Sequence, residues 1–338
     1  MNFLENYSLT ARNTFHIRAR ARFYAEPASE AELAALLRSV TARNLPLMVL
    51  GGGSNVVFSG DYPGLVLRPA LRGVRCYASD ADYYYVEAGG GEPWHPFVQY
   101  CLSQHWYGLE NLSLIPGTVG AAPIQNIGAY GVELTELLHS LTAMDVHTGE
   151  LREFSHAQCR FGYRESVFKQ ELKGRYIITR VRYRLRKNPA VKTAYGDISR
   201  ELLAMGISGE PTPRQLSNAV IAIRSRKLPN PDVLGNAGSF FKNPVIPAAQ
   251  HEALQQRFPD LVAYPQHDGV KLAAGWLIEQ AGWKGRRIGP VAAYEKQALV
   301  LVNYGGASGA DVMAVAVAVQ AAVQEKFGVL LEIEPQVY

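Results

Sequence analysis

Three consecutive glycines, Gly51, Gly52 and Gly53, precede Ser54 and Asn55 between two apolar runs, LPLMVL and NVVFS. Glycine accepts left-handed backbone and close approach of another group. Successive amide N–H groups in such a turn form a concavity that binds anions, with Ser54 and Asn55 as further donors. The spacing does not make the dinucleotide fingerprint. Gly51 and Gly53 fill its first two positions, but Val56 stands at the third, and the residues beyond it read as a strand rather than a helix. A hairpin turn with no ligand uses the same residue types, so the turn alone leaves both readings open. A second stretch, IPGTVGAAPIQNIGAYG, adds to it. Small residues (Gly117, Gly120, Ala121, Ala122, Gly128, Gly131) alternate there with polar Thr118, Gln125 and Asn126. A long apolar loop is uncommon inside a compact domain unless it serves a function. Small side chains let a flat ligand lie on the backbone while amides and hydroxyls bond its heteroatoms. Together the two features suit a dinucleotide that carries a tricyclic ring.

Other chemistries find less support. Ser239 sits in NAGSFFKNP, with Phe241 where a nucleophile elbow has glycine, and nothing else proposes a hydrolase triad. Cys76, Cys101 and Cys159 are odd in number and far apart, which gives neither a metal spacing nor a disulfide framework and suits a reducing compartment. No metal is expected. The net charge of +4 is spread along 338 residues, which fits anionic small molecules and not nucleic acid, where a concentrated basic stripe is needed. The opening MNFLENYSLTARNTF has no basic-then-apolar pattern, so no signal peptide is expected. The longest apolar run, VMAVAVAVQAAV, is shorter than the ~20 residues that span a bilayer. A soluble cytoplasmic monomer without membrane insertion is the expectation.

The elements that must position these residues read as α+β. ASEAELAALLRSVTARN (28–44) is an amphipathic helix with Leu33, Leu36, Leu37 and Val40 on one face, Ser29 as N-cap and Glu32 completing a capping box. LPLMVL, NVVFS, GLVLRP and YYYVEAGGG read as strands, with GGGSN as a tight strand–loop–strand turn. LHSLTAMDVHTGELREFS is a hairpin around Thr148 and Gly149, and YIITRVRYRLRK (176–187) is an alternating strand with a solvated, Arg-rich face. The turn-rich NPDVLGNAGSFFKNPVIP (230–247) marks a domain entry. AAQHEALQQRF, KLAAGWLIEQAG and SGADVMAVAVAVQAAVQEKFG are helices, the last with Gly328 as C-cap; QALVLVNYG and the final VLLEIEPQVY are strands.

At this level of detail the chain resembles the UDP-N-acetylenolpyruvoylglucosamine reductase family. The motifs are GGGSN, NLSLIPGTVGAAPIQNIGAYGVEL, CRFGYRESVFK, KLPNPDVLGNAGSFFKNP and KLAAGWLIEQAGWKG, in order from about Asn13 to the C-terminus, and an intact YGD at 195–197 resembles the type I branch. The resemblance implies an FAD-binding region of the p-cresol methylhydroxylase/vanillyl-alcohol oxidase type in two subdomains, 1–70 and 71–226, with 329–338 returning to the active site. It implies a third, α+β substrate-binding subdomain over 227–328. It also implies NADPH-dependent reduction of UDP-N-acetylglucosamine enolpyruvate to UDP-N-acetylmuramate in peptidoglycan precursor synthesis. The flavin pyrophosphate would lie on Gly51, Gly52, Gly53, Ser54 and Asn55. The loop from Pro116 to Gly131 (Gly117, Thr118, Gly120, Ala121, Gln125, Asn126, Gly128) would line the rest. No histidine lies in GGGSNVVFSG, so the flavin is expected to be noncovalent.

The same resemblance implies the chemistry. Flavins move hydride, and the protein places and polarises. Hydride from flavin N5 to the enolpyruvyl methylene leaves charge on the adjacent carbon, spread into the carboxylate, so a cation and a proton donor are needed. Ser239 matches the proton donor, and Arg164, in YRES, matches the arginine at the substrate carboxylate, which suits paired donors. Glu334 matches the catalytic glutamate. The tail here is LEIEPQVY, where many members read Leu-Glu-Pro-Glu-Val-Arg. Counting from Phe327 selects Glu334; matching EPQV would select Gln336, a neutral amide that cannot cycle a proton. Glu332 lies two residues earlier on the same strand face. Tyr195, Lys227, Asn243, Tyr264, Lys271 and Gln297 match substrate-contacting positions, with Lys227 and Lys271 suited to a diphosphate. An alcohol oxidase or dehydrogenase of the same flavin fold would explain the first two hundred residues but not NAGSFFKNP. A flavin-binding regulatory module would leave Ser239, Arg164 and Glu334 unexplained.

Overall fold

The structure, a computed structural model, describes residues 3–266 and 269–338. The chain forms two units. The first holds the chain up to Tyr7, Ala21–Gly52 and Pro63–Arg226; the second holds Ser8–Arg20, Gly53–Tyr62 and Lys227–Tyr338.

The first unit is built on a five-stranded antiparallel sheet in the order Leu151–Ser155, Leu138–Asp145, Tyr176–Arg186, Tyr83–Gly89, Val74–Ser79. The expected hairpin is its edge, with Gly149 left-handed in the turn. Strand Tyr176–Arg186 alternates as its pattern requires, with Val181, Tyr183 and Leu185 buried and the arginines outward. That outer face is paired rather than simply solvated. Arg180 meets Glu30 at 2.6 Å, Arg182 meets Glu87 at 2.8 Å and Glu153 at 2.7 Å, and Arg184 and Arg186 lie over the Tyr83 ring. Behind the sheet, helix Trp94–Ser103 buries Trp94, Phe97 and Val98 with Phe154, Tyr183 and Leu185. A four-stranded sheet in the order Leu4–Ser8, Arg20–Ala25, Tyr62–Leu67, Leu47–Val49 packs helix Glu30–Arg43. Leu33, Leu36, Leu37 and Val40 of that helix are buried, and Ser29 Oγ accepts from the Glu32 N–H at 3.2 Å. The Glu32 carboxylate reaches one residue further back than a capping box requires, to the Ala28 N–H. Helices Gly196–Ala204 and Pro213–Lys227 pack on each other through Ile198, Leu202, Leu216, Val220 and Ile223.

The second unit carries an antiparallel sheet in the order Gly235–Ser239, Gln297–Asn303, Val291–Tyr294, Arg287–Ile288, and a smaller one in the order Val245–Ile246, Gly269–Leu272, Ala263–Gln266. Its helices are Ala248–Arg257, Ala274–Gln280 and Gly309–Phe327. The last starts at a Ser308–Asp311 capping box and ends, as expected, at a left-handed Gly328. No helix among the described residues is long and apolar enough to cross a membrane.

Two sequence expectations are corrected. GGGSN is not a hairpin turn. Leu47–Val49 pairs in parallel with Tyr62–Leu67, whereas Val56–Val57 pairs in parallel with Gln336–Val337, so the flanking strands enter different sheets. The final VLLEIEPQVY is not one continuous strand. Glu332 and Glu334 bond to Lys242 and Phe240, and only Gln336–Val337 goes on to pair with Val56–Val57.

Candidate functional site

In the first unit the glycine run is fitted onto the small-residue loop. A Cβ on Gly52 would stand 2.7 Å from Gly117 Cα, and one on Gly51 3.0 Å from Thr118 Oγ1 and 3.1 Å from Ala121 Cβ. Backbone-to-backbone approach of this kind is what glycine permits. Gly117 is itself left-handed, and its carbonyl accepts from the Trp94 N–H at 3.0 Å. Gly120 donates to Gly90 O at 2.8 Å, and a Cβ there would meet the Gly90 and Ile178 carbonyls. Pro116 is exposed, and Gln125 lies half-buried in the turns after Ala121. The loop ends in a miniature hairpin, Gly128–Ala129 with Val132–Glu133. Its two-residue turn, Tyr130 and Gly131, has both residues left-handed, at φ 50° and 79°.

Arg164 lies on a second tight turn, between Gly162 and Glu165, which exchange backbone hydrogen bonds at 3.0 and 3.1 Å. It is left-handed at φ 56°; its Nη2 donates to Gly128 O at 2.9 Å, and its carbonyl accepts from Lys169 Nζ at 3.2 Å. The arginine is thus tied to the small-residue loop through Gly128. Tyr195 opens helix Gly196–Ala204, is 49 % exposed, and sets its ring edge-on to Tyr130 at 5.8 Å. Asn126 is fully buried; Nδ2 donates to Glu133 Oε2 at 2.8 Å and Gly162 O at 3.0 Å, and Oδ1 accepts from the Thr135 N–H at 3.0 Å. Both Nδ2 hydrogens are thereby used to brace the Arg164 turn.

In the second unit, Gly53 is left-handed and a Cβ there would collide with the Arg12 carbonyl, while Gly53 O accepts from the Thr14 N–H at 3.0 Å. Ser54 and Asn55 are half-buried, and Asn55 O accepts from the Gln336 N–H at 3.0 Å. Ser239 ends strand Gly235–Ser239 after a bulge and is exposed. Buried Asn236 shapes that bulge by accepting the Gly238 N–H at 2.9 Å and donating to Pro229 O and Leu234 O. The next two residues, Phe240 and Phe241, are buried anchors. Glu334 donates its N–H to Phe240 O at 3.0 Å, and Lys242 donates its N–H to Glu332 O at 2.9 Å, so the tail runs antiparallel to the segment after Ser239. Glu334 therefore pairs at the position next to Ser239. Glu332 is 69 % exposed at its side chain and ion-paired with Lys242.

The positions of this unit expected to contact substrate include two further groups. Asn243 Oδ1 accepts from the Ala274 N–H at 2.9 Å, and a Cβ on Gly275 would meet Gln297 Oε1 at 2.9 Å, so both amides converge on the start of helix Ala274–Gln280. Tyr264 and Lys271 are direct cross-strand partners. Lys227 is half-buried at the end of helix Pro213–Lys227.

Two residues that bond Leu114, just before the small-residue loop, carry no sequence signal of their own. His95 Nδ1 accepts from the Leu114 N–H at 2.9 Å, which requires a neutral ring. Burial, then the nearby Arg224 charge, lowers its pKa and keeps it so. Arg224 Nε donates to Leu114 O at 3.2 Å.

A cofactor of the expected kind fits these residues. Among the described residues, none accepts the amide N–H groups of Gly51, Gly52, Gly53 or Ser54, a donor set suited to a pyrophosphate. Comparison with known proteins agrees. A family model described as UDP-N-acetylenolpyruvoylglucosamine reductase, C-terminal domain, matches residues 230–338, and one described as FAD binding domain matches 21–155. The UDP-N-acetylenolpyruvoylglucosamine reductase of Burkholderia cenocepacia (strain HI2424) is 56 % identical over 99 % of this chain and 97 % of its own length. That of Paraburkholderia xenovorans (strain LB400) is 57 % identical over 98 % and 97 %. The crystal structure of UDP-N-acetylenolpyruvylglucosamine reductase from Thermus caldophilus superposes with a TM-score of 0.68 at 25 % identity, covering 100 % of this chain and 99 % of that one. Matches that run through the C-terminal third set aside an alcohol oxidase sharing only the flavin region. The chain belongs to the UDP-N-acetylenolpyruvoylglucosamine reductase family.

Proposed function

We propose that this chain reduces UDP-N-acetylglucosamine enolpyruvate to UDP-N-acetylmuramate in peptidoglycan precursor synthesis, with FAD as cofactor, NADPH as reductant, and Ser239 as the proton donor. The observation that supports it most is the backbone pairing of Glu334 with Phe240, which brings the tail that carries the candidate carboxylate alongside the segment that follows Ser239.

Gly51, Gly52, Gly53, Ser54 and Asn55 would hold the pyrophosphate of FAD. Pro116, Gly117, Thr118, Gly120, Ala121, Gln125, Gly128 and Gly131 would line the rest, without a covalent link. When bound, FAD supplies hydride to the enolpyruvyl methylene. The neighbouring substrate carbon then carries negative charge that delocalises into its carboxylate. Arg164 takes that carboxylate; held by Gly128 O, its fork is oriented before substrate arrives. Ser239 Oγ gives its proton to the charged carbon, and its exposure lets the alkoxide recover a proton from solvent. Glu334 polarises the enolpyruvyl group or assists that proton delivery. Asn243 and Gln297, whose oxygens face helix Ala274–Gln280, present their NH₂ groups to the substrate. Lys227 and Lys271 neutralise its diphosphate, while Tyr264 and Tyr195 cover it. The protein acts as a monomer in the cytoplasm.

The test is direct. Purified protein is yellow, releases its flavin on acid precipitation, is bleached by NADPH, and is reoxidised anaerobically by UDP-N-acetylglucosamine enolpyruvate. Reoxidation by simple alcohol-derived carbonyls instead of that enol ether overturns the assignment.

A further inference from the structure

Four of the nine left-handed non-glycine residues among those described, Leu114, Asn126, Tyr130 and Arg164, cluster in and around the flavin loop. Backbone of this kind is disfavoured for bulky side chains and persists where the surroundings over-determine it. Asn126 is held by its own amide and Arg164 by Gly128 and Lys169. Leu114 has no such internal device, and Tyr130 has only the two-residue hairpin turn in which it sits. They bracket the loop, one just before Ile115 and Pro116, the other at the tip of the closing hairpin.

One side chain faces both. Arg224, on helix Pro213–Lys227, donates from Nε to Leu114 O at 3.2 Å and lies near the Tyr130 phenol. Each bracket has a second tie. His95 Nδ1 accepts the Leu114 N–H at 2.9 Å, and Asn111 Nδ2 donates to Tyr130 O at 2.9 Å. The entry to the loop is bolted to the same two helices, by Trp94 Nε1 to Leu112 O at 2.9 Å and by the Ser113 and Ser217 hydroxyls at 2.8 Å. Arg224 is held there at a cost: burial and the positive charge of Arg164 push its pKa below the ordinary value, against the opposing effect of Tyr130. Only a rigid fork of donors spans a carbonyl and a phenol at once; an ammonium on a flexible stem does not.

We propose that Arg224 is a positioning residue, which with His95 clamps Leu114 and Tyr130 in left-handed backbone and so presents the loop between them in its flavin-holding shape. This rests on the reading of that loop as the FAD wall. The proposal differs from a direct charge contact with cofactor or substrate, because its effect passes through the backbone of Leu114 and Tyr130.

Glycine at position 114 takes the same conformation without a clamp, and this gives the discriminating experiment. FAD dissociation constants are measured by flavin fluorescence on full-length wild type, R224M, and R224M carrying L114G, alongside thermal unfolding of the flavin-free forms. R224M should weaken FAD about tenfold or more, the loss expected when a bulky residue must be held left-handed without help. It should leave the flavin-free unfolding temperature near that of wild type, and L114G should recover much of the lost affinity. If R224M fails to fold, R224K takes its place with the same expectation, since it keeps the charge but not the span. Unchanged affinity, or a loss that L114G does not relieve, overturns the clamp. Wild-type protein that held no FAD would overturn the flavin reading itself, and is told apart because it fails before any variant is compared.

Discussion

The flavin loop of the first unit and the Ser239 segment of the second solve the same problem, fixing reactive groups on irregular chain, by different means. The loop is held by side chains: Trp94, His95, Asn111, Asn126 and Arg224 bond backbone groups in and around it, and the Ser113 and Ser217 hydroxyls bond each other. The Ser239 segment is held mainly by main-chain bonds, from Phe240 to Leu299, from Glu334 to Phe240 and from Lys242 to Glu332. A side-chain clamp fails when one residue changes. A main-chain ladder tolerates most substitutions and leaves its outward side chains free for chemistry. Substitutions in the two regions should therefore fail differently, the first through cofactor binding and stability, the second through rate.

The largest effect expected is on rate. Glu334→Gln should slow substrate reduction by about a hundredfold or more, the usual range for losing an acid–base or polarising group, with FAD affinity unchanged. Parallel weakening of FAD would break the contrast. Next comes Asn126→Ala, which removes the three hydrogen bonds of a fully buried amide. It should cost about 3 kcal/mol, seen as a lowered Tm, since each intramolecular hydrogen bond contributes roughly 1 kcal/mol. A Tm unchanged by this substitution would mean that the Arg164 turn needs no such support. Gly52→Ala puts a methyl 2.7 Å from Gly117 Cα. The loop must then shift, at about 1–3 kcal/mol, read as weaker FAD binding by titration. Affinity equal to wild type would show that the glycine run is not what seats the loop. The smallest effect belongs to Glu332→Gln, whose exposed pair with Lys242 is worth about 0–1 kcal/mol. Turnover within about twofold of wild type is expected, and a larger loss than in Glu334→Gln would reverse the tail register.

What the sequence made legible was local. Helix Glu30–Arg43 is readable from its apolar face and Ser29, the hairpin at Gly149 from its turn, and helix Gly309–Phe327 from Gly328. The failures are non-local. The strand after GGGSN takes its partner from the chain's end, at Gln336–Val337, which no nearby pattern announces. Helix Trp94–Ser103 escapes because Pro96 and three aromatics blur its period, although proline in a first turn is tolerated. Asn126 has the residue type of a ligand contact and the bonding of a structural brace; the two are indistinguishable without its neighbours. His95 and Arg224 matter only because Leu114 and Tyr130 are left-handed, a backbone property that sequence does not print.

The central claim is proton donation by Ser239, and anaerobic stopped-flow of Ser239→Ala tests it most directly. Bleaching of the flavin by NADPH should stay within about threefold of wild type, while reoxidation by UDP-N-acetylglucosamine enolpyruvate slows by about a hundredfold or more. Equal slowing of both halves, or reoxidation at the wild-type rate, would contradict it.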